Sequence, residues 1–278
     1  MYRLLALDLD GTVIGRDRRI SEPVRAAVTA AVASGVRVTL ATGRGFRTAR
    51  PFAEQLGLCD PLICYQGALI KHPVTADVLD HTPMPAPLAA EAIAMLHGPA
   101  ICVIAFIDEK LGIVEDGDQF ARFVGRWGPP DRVHLLVAPD LVEVVRVTPP
   151  TKVMFFGDPP RVDAEIARAI DRFGARLTVV RSDPTIGELT APGLNKGLAL
   201  AKLAHHLGVE RADVLAIGDE DNDVPMLEWA GLGLAMGNAP PSVQRAARAV
   251  IPPVDDDGVA WAIGRYVLSS SARGSATR

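Results

Sequence analysis

Leu4–Thr12, LLALDLDGT, governs how the rest of the chain is read. A near-continuous apolar run suits a strand buried on both faces, as in a parallel sheet covered by helices. The run ends in two carboxylates, Asp8 and Asp10, set one residue apart and followed by a glycine. Alternate strand residues share a face, so the two carboxylates would project together unless the chain turns between them. Such proximity at a strand end invites a cation.

Strand and helix signals alternate outward from that stretch. SEPVRAAVTAAVASG (21–35) has a capping Ser21, Pro23 for the first turn, alanines, and Gly35 as a left-handed stop. A strand VRVTLAT (36–42), a helix RTARPFAEQLG (47–57) and a strand PLICYQG (61–67) follow, giving βαβαβ order with right-handed crossovers. The alternation resumes with helix NKGLALAKLAHHLG (195–208), strand VLAIGD (214–219), helix DVPMLEWAG (223–231), strand LGLAMG (232–237) and helix PSVQRAARAV (241–250). The two ends of the chain therefore read as halves of one doubly wound, mostly parallel α/β sheet.

Between them the texture changes. HTPMPAPL (81–88) carries three prolines and reads as a linker. Beyond it, ICVIAFID and LGIVE flank a DEK turn, a hairpin pattern that predicts an inserted α+β unit. The small, polar stretch SSSARGSATR (269–278) reads as a frayed tail.

Composition limits the function classes. The 278 residues hold 49% hydrophobic and 22% charged side chains with a net charge of -4, which argues against a polyanion-binding surface, so neither nucleic acid nor membrane is an expected partner. Acidic residues interrupt the N-terminal apolar run before it reaches signal-peptide length, and no segment offers 18 apolar residues, so a cytoplasmic protein is expected. Cys59, Cys64 and Cys102 form no zinc-type cluster with the histidines.

In open α/β sheets ligands bind beyond the carboxyl ends of the strands. Those ends carry Asp8 and Asp10, then Thr42, Gly43 and Arg44 of ATGR, then Asp219, Asp221, Asn222 and Asp223 of GDEDND, while Lys196 opens the helix before the last of these strands. Carboxylates gathered with too few cations raise one another's pKa, so a shared site implies a metal. Oxygen ligands alone select a hard ion, and Mg2+ fits best because it accepts one or two carboxylates and takes other oxygens from a phosphate. Thr42, Gly43 and Lys196 would then surround the phosphate, and Asp8 can be a nucleophile. Taken singly, each loop also reads as an ordinary turn or helix cap, Thr42 and Arg44 as a turn after a strand and Lys196 as a solvated first-turn lysine; their convergence is what favours a site.

DLDGT, ATGR, Lys196-Gly and GDEDND, in that order, resemble the haloacid dehalogenase (HAD) superfamily of phosphotransferases, specifically its Cof-type phosphatases. YQGALI, ELTAPGLNKGLAL, AGLGLAMGNA and DDDGVA extend the similarity over nearly the whole chain. The resemblance implies a HAD-like, Rossmann-type core of residues 1–83 and 187–278 with a C2B-type cap of residues 84–186. It implies a Mg-dependent phosphoric monoester hydrolase of a small phosphorylated metabolite, a sugar phosphate or similar, acting through an aspartyl-phosphate. Asp8 would be the nucleophile and Asp10 the acid/base, with Lys196 the third catalytic residue. Asp8, Asp219 and the Asp10 backbone carbonyl would ligate the metal. The Leu9 amide, Thr42, Gly43, Lys196 and Asn222 would hold the phosphoryl group, and Asp223 would orient water or Lys196. A phosphomutase on the same core and a non-catalytic phosphometabolite-binding regulator are the alternatives. Gln66 stands where the family commonly has Asn, a local change. Neither the substrate nor the oligomeric state is legible.

Overall fold

The computed structural model describes residues 2–96, 98, 100–114, 117–127 and 134–269, so all but the first residue of the expected tail lies outside the described residues. Two compact units emerge: Met1–Asp80 with Asn195–Arg278, and His81–Leu194. The second is wider than the 84–186 insertion read from the sequence, because Ile186–Thr190 is itself a strand of the second unit's sheet.

The chain opens with β1 (Leu4–Leu7), α1 (Glu22–Ala33), β2 (Arg37–Leu40), α2 (Phe46–Gln55) and the short strands β3 (Leu62–Cys64), β4 (Leu69–Lys71) and β5 (Val78–His81). At α1 the Ser21 hydroxyl accepts the Val24 amide, Pro23 occupies the first turn, and Val24, Val28 and Ala31 form the buried stripe. Gly35 then takes a φ of +87°, the left-handed conformation that stops a helix without a Cβ penalty.

The second unit comprises α3 (Ala86–Leu96), β6 (Cys102–Ile107), β7 (Lys110–Val114), α4 (Gly117–Trp127), β8 (Leu135–Ala138), α5 (Leu141–Val147), β9 (Lys152–Phe156), α6 (Pro159–Phe173), β10 (Thr178–Asp183) and β11 (Ile186–Thr190). Its six strands run in the order β10-β11-β9-β6-β7-β8, antiparallel except for the β7–β8 pair. The β6–β7 hairpin is the one expected around DEK, and Asp108 and Glu109 both take positive φ at its turn.

The chain re-enters the first unit through α7 (Lys196–His206), β12 (Val214–Gly218), α8 (Val224–Trp229), β13 (Leu232–Ala235), α9 (Pro241–Ala246), β14 (Ala249–Val250) and α10 (Gly258–Ala262). The helix expected over 241–250 is shorter than its sequence suggests. Arg248 donates to the Gly233 carbonyl and Ala249 pairs with Leu234, so edge pairing in the sheet overrides local alanine propensity.

The first unit's five-stranded parallel sheet has the order β14-β13-β12-β1-β2. Every residue of β1 and β12 is buried, which is why both strands read as unbroken apolar runs. From β1 the chain crosses to β2 on one side, whereas β12 lies on the other, so β1 and β12 flank the point where the strand order reverses. Leu7 is in register with both Ile217 and Leu40. The residues that follow these three positions therefore converge on the crevice where such sheets bind ligands.

Candidate active site

Asp8 follows β1, and its amide continues the ladder by donating to Ile217 O at 2.9 Å. That fixes a carboxylate which is only 5% exposed. The turn anticipated between the two acids then occurs: Gly11 has a φ of +85°, and Val13 and Ile14 donate back to the Leu9 carbonyl. In consequence Asp8 is buried, while the Asp10 side chain is 54% exposed.

Asp219 and Asp223 come from the loop after β12. Asp223 is fully buried, and its Oδ2 accepts the amides of Asp219 and Glu220 at 2.9 and 3.0 Å, which fastens the loop beneath the site. Lys196, 1% exposed at the first turn of α7, donates from Nζ to Asp8 Oδ1 and to Asp223 Oδ1, each at 2.6 Å. A solvated first-turn lysine is thereby replaced by a buried bridge. Gly197 makes that approach possible, since a Cβ there would lie 2.3 Å from the Pro225 carbonyl oxygen at the start of α8.

Carboxylate oxygens of Asp8, Asp219 and Asp223 all lie within 4.8 Å of one another. With Lys196 as their bonded cation, three carboxylates against one ammonium leave two net negative charges in a buried cluster. Burial, then Asp223, push the Asp8 carboxyl well above the usual carboxylate range, with Lys196 pulling the other way. Burial likewise lifts Asp219 to about 7, although the Thr12 hydrogen bond opposes the rise. For Lys196, burial disfavours the charge but Asp223 and Asp8 more than offset it, so the ammonium is held above its ordinary range. Buried, oxygen-only and short of two positive charges, the cluster suits a hard divalent ion.

Two residues missed in the sequence hold Asp219. Thr12 Oγ1 donates to its Oδ1 at 2.8 Å, and Asn238 Nδ2 donates to its Oδ2 at 3.3 Å and to Gly11 O at 2.9 Å. Thr12 lies in DLDGT and Asn238 in MGNA, both conspicuous stretches, but their common partner is distant in sequence. Gly11 lets the turn pass Asp219, because a Cβ at that position would sit 2.0 Å from Asp219 Oδ2. Gly11→Ala is therefore expected to displace Asp219, to destabilise the fold by about 1–3 kcal/mol and to weaken divalent-ion binding, as read by thermal melts with and without added metal.

Thr42 is buried after β2; its hydroxyl accepts the Arg44 amide at 3.1 Å, and its own amide donates to Ile63 O at 2.9 Å. Arg44 makes a bidentate ion pair with Asp10, from Nε to Oδ2 at 2.6 Å and from its terminal nitrogen to Oδ1 at 2.5 Å. Gln66 has a φ of +60°, and its Oε1 accepts Asn222 Nδ2 at 3.1 Å, joining the loop after β3 to the loop after β12. A Cβ on Gly43 would lie 2.5 Å from Gln66 Nε2, so the same carboxamide packs over Gly43. The structure thus brings Asp8, Lys196, Asp219 and Asp223 into direct contact or near contact. It sets the Asp10 carboxylate outside this group, against Arg44, and links Gly43 and Asn222 through Gln66.

Residues 5–263 match a family model described as haloacid dehalogenase-like hydrolase. YxeH of Bacillus subtilis strain 168, a candidate phosphatase, is 32% identical, with the match covering 97% of this chain and 100% of that protein. The HMP-PP phosphatase of Serratia proteamaculans strain 568 is 31% identical over 88% of this chain and 87% of its own length. Among solved structures, TM0651 from Thermotoga maritima superposes with a TM-score of 0.82 at 28% identity, covering 95% of this chain and 97% of that one.

Proposed function

The chain belongs to the haloacid dehalogenase-like hydrolases and is a phosphatase of that type, and from this premise we propose that it hydrolyses a small phosphorylated metabolite through an aspartyl-phosphate on Asp8. The observation that carries the reading is the buried cluster in which Lys196 is bonded to Asp8 and Asp223 while Asp219 stands within 4.8 Å. A sugar phosphate or related monoester is the proposed substrate class, and the second unit, read from the sequence as residues 84–186 and spanning His81–Leu194, is proposed as the cap that selects it. Release into solution is the expected fate of the phosphate, which separates this reading from a phosphomutase.

Asp8 Oδ attacks phosphorus, the bond to the leaving oxygen breaks, and Asp10 supplies the proton that the departing oxygen takes up. A water oxygen then attacks the same phosphorus, the Asp8–phosphorus bond breaks, and the water proton passes to Asp10. Both aspartates end as they began. Lys196 holds the Asp8 carboxylate in place, and with the Leu9 amide, Thr42, Gly43 and Asn222 it binds the phosphoryl oxygens. Asp8, Asp219 and the Asp10 carbonyl would hold a Mg2+ ion, with Asp223 behind them. When bound, that ion neutralises the charge that would keep a carboxylate from a phosphoryl dianion.

A screen of phosphate release over sugar phosphates, nucleotides and cofactor phosphates, with and without Mg2+, tests the reading; no Mg-dependent release from any class would overturn it. The raised Asp219 and Asp8 carboxyls add a pH signature. Below about 7 Asp219 takes up a proton, and Asp8, also held above the usual carboxylate range, resists ionisation beside it, so protons compete with the ion for the same oxygens. The apparent Mg2+ affinity, measured by thermal shift, is therefore expected to fall at least about tenfold per pH unit below that value. In the ion-free protein the sign is opposite: a carboxyl raised above its unfolded value stabilises the fold at low pH, and that contribution is lost as pH rises through about 7.

A further inference from the structure

Arg44 carries no role in the chemistry described so far, yet its geometry is more elaborate than a surface charge requires. Both of its ion-pairing nitrogens lie within 2.6 Å of Asp10, one on each carboxylate oxygen. The guanidinium carbon lies over the Phe52 ring on α2, 5.0 Å from its centroid, within cation–π range. Its backbone is pinned from both sides: the amide donates to Thr42 Oγ1 at 3.1 Å, and the carbonyl accepts the Tyr65 amide at 2.9 Å. The Arg44 side chain is 23% exposed against 54% for Asp10, so the better-packed partner of the pair is the arginine.

We propose that Arg44 is a positioning residue which, resting on the acid/base reading of Asp10, fixes that carboxylate for the hydrolytic half of the reaction. The guanidinium fork suits the carboxylate form, which Asp10 takes once it has given its proton to the leaving oxygen; the fork uses one lone-pair direction on each oxygen, leaving others to accept the proton of an attacking water. Asp10 sits on a turn beyond the strand and is more than half exposed, so without the fork its side chain would sample several rotamers. Arg44 therefore joins the Thr42 loop, which contacts the phosphoryl group, to the residue that activates water.

The proposal affects one step, and an aryl phosphate isolates it. With an activated leaving group, transfer to Asp8 needs little acid assistance, and kcat/KM reports only steps through that transfer. Slower hydrolysis of the aspartyl-phosphate lowers kcat and KM together. Arg44→Ala is expected to lower both by about tenfold for an aryl phosphate, to leave kcat/KM within about twofold, and to produce a burst of the aryl alcohol. The melting temperature should stay within about 2 °C of the parent, since partly exposed ion pairs add little stability. Arg44→Lys, which offers a point charge instead of a fork, should restore only part of kcat. A fall in kcat/KM at constant KM would assign Arg44 to the first step or to binding and overturn the proposal. Unchanged kinetics, or a loss that follows a collapsed melting temperature, would also overturn it. Asp10→Ala run in parallel separates the two levels: no burst and no loss in that variant would overturn the acid/base reading itself, whereas a burst in Asp10→Ala without one in Arg44→Ala would overturn only the role of Arg44.

Discussion

Asp8→Asn is expected to reduce phosphate release by at least about four orders of magnitude while leaving the fold intact. The amide is nearly isosteric, and its oxygen can still accept the Lys196 hydrogen bond that Asp8 Oδ1 accepts at 2.6 Å. What it lacks is a nucleophilic oxygen able to form the acyl phosphate. The substitution also removes one of the two unmatched negative charges of the cluster, one whose carboxyl is driven upward by burial and by Asp223. The ion-free Asp8→Asn protein should therefore melt higher than the parent at pH 8, and the difference should shrink towards pH 5 as the parent's own carboxyls take up protons. Activity lost with stability gained is the pattern of a site that stores electrostatic strain for use. Phosphate release above about one hundredth of the parent rate, or failure to trap phosphate on the parent enzyme but not on the variant, would exclude the route through Asp8.

How much of this was legible in the sequence follows from which constraints are local. β1 and β12 are buried on both faces, so they read as apolar runs, and their polar ends stood out as candidate ligands. A parallel sheet converts that linear pattern into a spatial one: Leu7 is in register with Leu40 and Ile217, so Asp8, Thr42 and Asp219 share one edge. Cross-loop partners are different. Nothing near Thr12 says that its hydroxyl reaches Asp219, 207 residues away, or that Asn238 shares that carboxylate. The pairing of Arg44 with Asp10 was hidden for the same reason, because an arginine after a strand reads equally well as a turn residue. The edge of the inserted unit was blurred because β10 and β11 form a hairpin whose second strand leads straight into the loop before Lys196, with no compositional break between them.

Lys196→Met is expected to cost about 3–5 kcal/mol of stability and to remove most activity, the largest structural effect of any substitution in the site. Methionine is of similar length and well suited to an apolar interior, so the cost does not come from a cavity. It comes from Asp8 and Asp223, which would keep their burial and their mutual repulsion after losing the ammonium that bridges them. Asp8, already raised by burial and by Asp223, then loses the ammonium that opposes the rise, whereas it ionises freely in the unfolded chain. Stability of the variant should accordingly decline from about pH 4 upward, and the gap to the parent should be wider at pH 8 than at pH 5, as read by urea melts at each pH. The parent shows no such loss from Lys196 itself across that range: its raised pKa leaves the ammonium's contribution fully present below the unfolded value. Combining the change with Asp8→Asn should recover part of the stability, because one of the stranded carboxylates is gone; strict additivity of the two effects would mean that the Lys196–Asp8 bond is not what holds the cluster together. Added Mg2+ should rescue the single variant's melting temperature more than it raises the parent's, since an ion at Asp8 and Asp219 supplies the positive charge that the missing lysine withdrew. Activity should not return with it, because the ion cannot also take the place of Nζ between Asp8 and the phosphoryl oxygens.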